Sequence, residues 1–91
     1  MIIKYSPTFL GSLKKADVRI RKSFKEKLLI FSKDPNDLEL DNHILKKPYQ
    51  GLRSIDITGD WRAIYEERSE GEEVVAYFIL LGTHRKLYQK S

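Results

Sequence analysis

His43 and His84 are the only histidines of the chain, and histidine is the side chain that most readily moves a proton near neutral pH. His84 follows an apolar run ending at Leu81-Gly82 and is itself followed by Arg85 and Lys86. His43 lies in an irregular stretch after Asp41-Asn42. Asp56 and Asp60 are four residues apart, and Trp61-Arg62 comes directly after the second. Cleavage of RNA without a metal asks for such an inventory. One group takes the proton of the ribose 2′-hydroxyl, another protonates the departing 5′-oxygen, and a cation neutralises the pentacoordinate phosphate. The plainer readings are two surface histidines, a turn aspartate, a core tryptophan and a solvated arginine. Other chemistries find less support: there is no zinc-ligand spacing, no glycine-rich phosphate loop and no nucleophile elbow.

The elements that must position these residues follow from periodicity. Ile2, Ile3 and Tyr5 read as a short first strand, stopped by Ser6-Pro7, with Ser6 as cap and Pro7 in the first turn of a helix. Phe9, Leu10, Leu13 and Ala16 supply that helix with an apolar stripe, which Gly11 weakens slightly. From Asp17, a second cap, to Ser32, the residues Ile20, Phe24, Leu28 and Phe31 recur at helical spacing. The pair reads as a hairpin with a basic outer face. Asp34-Pro35-Asn36-Asp37 is a stop, and residues 34–50 read as loop with one short strand or turn at most.

From Gly51 the period becomes two. Leu52, Ile55 and Ile57 form one run, Trp61, Ala63, Ile64 and Tyr65 the next, with Thr58-Gly59-Asp60 as the turn between them. After a second turn at Ser69-Glu70-Gly71-Glu72, the continuous run Val74 to Leu81 suggests a central strand buried on both faces and ended by Gly82. Thr83 then caps a short C-terminal helix through Tyr88. The expected class is α+β: an N-terminal strand and helical hairpin packed on an antiparallel-rich sheet of about four strands.

At 91 residues without cysteine, the chain reads as one domain, residues 1–91, with no thiolate staple. Its 17 Lys and Arg against 13 Asp and Glu leave a net charge of +4, which favours a polyanionic partner, nucleic acid first. The N-terminal apolar run is too short for a signal-peptide core and no segment is long and apolar enough for a bilayer span, so no membrane role and a cytoplasmic location are expected.

The segments Gly51-Leu52-Arg53-Ser54-Ile55-Asp56-Ile57, Asp60-Trp61-Arg62-Ala63-Ile64-Tyr65 and Leu81-Gly82-Thr83-His84-Arg85-Lys86-Leu87-Tyr88 together resemble the RelE/ParE toxin superfamily. The Asp-Trp before an apolar-Tyr strand, and the closing Gly-Thr-His with an aromatic four residues after the histidine, are similar to its YafQ-like branch. The resemblance spans nearly the whole chain and is specific over about its last forty residues. It implies a toxin of a type II toxin-antitoxin system that cuts mRNA in the ribosomal decoding site, by attack of the 2′-hydroxyl on its own phosphate and with no cofactor. Carried over by position, it implies His84 as general acid, His43 as base, Asp60 as a positioning or deprotonating group, and Arg62 against the scissile phosphate. Tyr88 matches an aromatic that stacks on the substrate base, and Trp61, Arg53, Arg85, Lys22 and Lys25 are further candidates to hold substrate. Asp56 stands where the branch has a second histidine, and Asn42-His43-Ile44-Leu45 lacks the proline that follows the branch's histidine. Asp56 is therefore a second candidate base. The partners implied are a cognate antitoxin in a hetero-oligomeric complex, the ribosome and mRNA, with an acidic or amphipathic antitoxin segment in the basic groove between helices and sheet. Two alternatives remain: a ParE-like inhibitor of DNA gyrase, and a non-catalytic nucleic-acid-binding domain.

Overall fold

A computed structural model describes residues 1–88. The elements are β1 (Ile2–Tyr5), α1 (Pro7–Lys15), α2 (Val18–Lys33), a 3-10 turn (Leu38–Leu40), β2 (His43–Ile44), β3 (Arg53–Asp56), β4 (Trp61–Glu70), β5 (Glu73–Thr83) and α3 (His84–Leu87). They form an α+β fold with a five-stranded sheet in the order β1-β5-β4-β3-β2. β1 runs parallel to β5, and every other pairing is antiparallel. The sheet therefore has one strand more than expected, because His43–Ile44 pairs with Ser54 and Arg53 inside the stretch read as loop. A strand of two residues leaves no periodicity to detect.

The caps behave as their residue types require. Ser6 Oγ accepts from Phe9 N at 2.9 Å and donates to the Ile79 carbonyl at 2.8 Å, so one hydroxyl both starts α1 and fastens it to β5. Asp17 accepts from Arg19 N at the start of α2, and Thr83 from Lys86 N at the start of α3. Gly71, at φ 64°, supplies the left-handed residue of the tight β4–β5 turn.

Side chains alternate across strands, so the register sorts residues into rows on one face or the other. Facing the helices are the row Arg53, Tyr65, Phe78, Tyr5 and the row Ile55, Ala63, Leu81. Phe78 and Leu81 are three apart yet share this face. A bulge in β5 between the pairs Ile64–Leu80 and Tyr65–Phe78 makes that possible by inserting Ile79. Phe78 is fully buried, with the rings of Tyr5, Phe9, Phe24, Phe31 and Tyr65 at centroid distances of 5.2 to 6.0 Å. Trp61 packs on the same core.

The run Val74 to Leu81 lies in an interior strand, as its composition suggests, but its burial is uneven: Val75, Ala76, Phe78 and Leu81 are buried, whereas Val74 is exposed. Nor does Gly82 end the strand, which continues through it to Thr83. A Cβ at Gly82 would stand 3.3 Å from Leu87 Cγ and Cδ2, so the glycine instead lets α3 fold back closely onto the sheet.

Candidate active site

The sheet face turned away from α1 and α2 carries two rows. One is His43, Ser54, Ile64, Leu80; the other is Asp56, Arg62, Gly82. α3 folds over Gly82, and its first backbone N–H, that of His84, donates to the Asp60 carbonyl at 2.7 Å. The turn between β3 and β4 thus meets the start of α3. A cavity of about 470 Å³ is lined by His43, Arg62, His84 and Tyr88 together with Asp41, Ile44, Leu45, Lys46 and Lys47.

Local interactions fix the chemistry of each wall. His43 Nδ1 lies 2.8 Å from the Asp41 carbonyl oxygen. A carbonyl only accepts, so Nδ1 carries the proton and the neutral ring keeps its lone pair on Nε2, the form a base needs. Asp41 reaches this position in the left-handed region, at φ 45°. The adjacent Asn42 has its amide fully used: Nδ2 donates to Tyr65 Oη at 2.7 Å and to the Pro35 carbonyl at 2.8 Å, while Oδ1 accepts from Arg53 Nε at 3.0 Å. The segment bearing His43 is thereby pinned to the core side of the sheet.

Arg62 Nη1 donates to the carbonyls of Thr58, Gly59 and Trp61 and so ties up the β3–β4 hairpin. Its Nε sits 3.0 Å from Asp56 Oδ1, but without the alignment of a hydrogen bond. Burial pushes the Asp56 carboxyl above its ordinary pKa despite the attraction of Arg62; Asp41 adds to the rise, while His43 and Lys27 oppose it. His84 and Tyr88, one helical turn apart, hold their rings 4.6 Å apart. Among the described residues, the buried side-chain oxygens that lack a hydrogen-bond partner within the chain are Ser54 Oγ, Asp56 Oδ1 and Tyr88 Oη. Ser54 and Asp56 lie on this face of the sheet and Tyr88 on the cavity wall, and clustered unmet polar groups mark sites where stability yields to function.

The structure therefore brings His43, His84, Arg62 and Tyr88 together, with Asp56 beside Arg62. Other candidates stand elsewhere. Asp60 is exposed and contributes its backbone carbonyl, not its carboxylate, to the placing of His84. Trp61 has the parity of Ala63 and Tyr65, which puts it on the helix face, away from the cavity. Arg53 also faces the helices, bound to Asn42. Lys22 and Lys25 border a different cleft, formed by Tyr5, Leu10, Leu13, Phe24 and Leu28. Arg85 is exposed on α3 beyond the cavity wall. Spacing alone did not single out Lys46 and Lys47, because they follow a strand too short to read; their signal was a pair of cations just after His43.

No group of three or more His, Cys, Asp and Glu side chains suited to a metal ion occurs among the described residues, and no helix there is long and apolar enough to cross a membrane.

No protein-family model matches the chain, and none of the curated proteins matches it. Solved structures do. The YoeB/ParE toxin from Agrobacterium tumefaciens superposes with a TM-score of 0.74 at 18% identity, over 92% of this chain and 99% of that one. The toxin-antitoxin complex RelBE2 from Mycobacterium tuberculosis gives 0.70 at 18% identity, over 91% and 96%. The E. coli DinJ-YafQ complex gives 0.62 at 26% identity, over 94% and 96%. The α+β architecture, with its helical hairpin and closing short helix, is thus the fold of the RelE/ParE-like toxins.

Proposed function

We propose that this chain is the toxin of a type II toxin-antitoxin pair and an endoribonuclease that cuts mRNA in the ribosomal decoding site. The observation that carries the reading is the convergence of His43, Arg62, His84 and Tyr88 on one cavity from three separate segments of the chain, with His43 Nε2 left free to accept a proton.

His43 Nε2 takes the proton of a ribose 2′-hydroxyl as that oxygen attacks the adjacent phosphorus. The bond from 2′-oxygen to phosphorus forms and the bond from phosphorus to 5′-oxygen breaks. His84, as imidazolium, delivers its proton to the leaving 5′-oxygen, and the products end in a 2′,3′-cyclic phosphate and a 5′-hydroxyl. Arg62, with Nη1 spent on the hairpin, turns its remaining donors toward the phosphate, and Lys46 and Lys47 add positive charge at the same wall. Tyr88, its ring against His84, offers a face on which a base can stack.

Two of the similar structures are toxin-antitoxin complexes, which supports an antitoxin as partner. The apolar cleft bordered by Arg21, Lys22 and Lys25, between the helical hairpin and Tyr5 of β1, suits an acidic, amphipathic segment of such a partner.

The test adds the purified chain to a translating ribosome with a defined mRNA and maps product ends. Cleavage within the decoding-site codon is expected, leaving a 2′,3′-cyclic or 3′-phosphate. His84→Ala should slow it about 10²- to 10⁴-fold, the usual worth of a positioned general acid. An intact mRNA with the wild-type chain would favour gyrase inhibition or simple binding instead.

A further inference from the structure

The cavity has two walls built from different elements: the segment carrying His43, Lys46 and Lys47, and α3 with the residue that ends it, carrying His84 and Tyr88. Tyr49 lies in neither wall and touches both. Its backbone N–H closes a turn onto the Lys46 carbonyl at 3.0 Å, and its carbonyl accepts from Leu52 N at 3.0 Å, so its main chain is fixed from both sides at the shared residue of two successive turns. From there the hydroxyl donates to the Leu87 carbonyl at 2.7 Å, and the ring meets that of Tyr88 edge-on at a centroid distance of 5.8 Å.

The Leu87 carbonyl belongs to the last turn of a four-residue helix, where backbone acceptors have no intrahelical partner. So short a helix has little cohesion of its own. Its start is held by the Thr83 cap and by the Asp60 carbonyl. Its end is held by Tyr49.

We infer that Tyr49 is a positioning residue: it clasps the end of α3 to the Lys46-Lys47 turn and so sets His84 and Tyr88 opposite His43. This rests on the proposed nuclease reading for its consequence in catalysis, though not for the clasp itself. The relevant change is Tyr49→Phe, which keeps the ring and its edge contact and deletes only the hydroxyl. If the hydroxyl merely added stability, the unfolding free energy would fall while the ring signals of the native state stayed in place. If it positions, the effect is confined to α3.

The experiment compares the full-length wild-type chain and Tyr49→Phe by NMR of labelled histidine and tyrosine, alongside the ribosome cleavage assay. The ring resonances of His84 and Tyr88 should move, and the cross-relaxation between the two rings should weaken, because the ring current each feels depends on their contact. Tyr65 and the core rings should stay in place. Cleavage should fall about tenfold in kcat with KM changed less than about twofold, as expected when reacting groups are displaced by a fraction of an ångström. Unmoved His84 and Tyr88 signals in Tyr49→Phe would overturn the inference, as would shifts of equal size throughout the core. A wild-type chain that cuts nothing while the ring signals of the variant move would defeat the nuclease reading and leave the clasp standing.

Discussion

His43 owes its free Nε2 to the Asp41 carbonyl, and Asp41 reaches it through a left-handed backbone that residue types do not announce. The identities of His43, His84, Arg62 and Tyr88 were legible as candidates, because few side chains can shift protons or steady a phosphate. The face on which Trp61 and Arg53 stand was not legible, for one physical reason: in a strand, parity decides the face, and both share parity with the core residues Ala63 and Ile55. Asp56 shows how environment overrides type. Burial raises its pKa above 3.8 although Arg62 is beside it. The folded chain then takes up a proton at Asp56 at higher pH than the unfolded chain does. Between the raised value and 3.8 the native state holds more protons, so the contribution of Asp56 to stability grows as pH falls, opposite to the sign for a carboxylate whose pKa is depressed. Measured by chemical denaturation, the stability of wild type minus that of Asp56→Asn should rise as pH is lowered from about neutral and level off below 3.8. A difference that stays flat or shrinks on acidification would refute this reading of Asp56.

The long helices and the β4–β5 pair were readable because they repeat their pattern over several turns or residues and end on capping or turn residues such as Ser6, Asp17 and Gly71. β2 was not, since two residues carry no period, and the end of β5 was set one residue early because glycine usually breaks a strand. Gly82 instead makes room for Leu87. That difference has a consequence for α3. Gly82→Ala places one carbon at 3.3 Å from Leu87, which the end of a short helix can absorb. Gly82→Val adds two more carbons and has to push α3 outward, taking His84 and Tyr88 with it. The valine variant should lose about 1–3 kcal/mol of stability, in the range of overpacked sites. It should also lose cleavage by more than about tenfold, a greater loss than alanine causes. Thermal melts and the ribosome assay check the two effects separately. Full activity in Gly82→Val would mean that α3 does not depend on its close seat on the sheet.

For the molecule as a whole, the sign of the charge was plain from composition and its placement was not. The basic stripe of α2 was expected to serve the nucleic acid. Yet Lys22 and Lys25 lie by the apolar cleft between the hairpin and β1, while Lys46 and Lys47 line the cavity with the two histidines. Sequence spacing groups residues along one element; only the sheet order brings residues of β2, β4 and α3 to one side. The two lysine pairs thus border two different clefts, and salt dependence tells their roles apart. Each phosphate neutralised on a single strand adds about 0.7 to the steepness with which log affinity falls against log salt. For a short RNA made uncleavable by 2′-O-methyl groups, Lys46→Gln and Lys47→Gln should each flatten that slope by up to about 0.7, whereas Lys22→Gln and Lys25→Gln should leave it within error. Binding titrations over a range of salt read the slopes directly. If the α2 variants flatten the slope as much as the cavity variants, the RNA runs across the helical hairpin, and the apolar cleft is no longer free for a protein partner while RNA is bound.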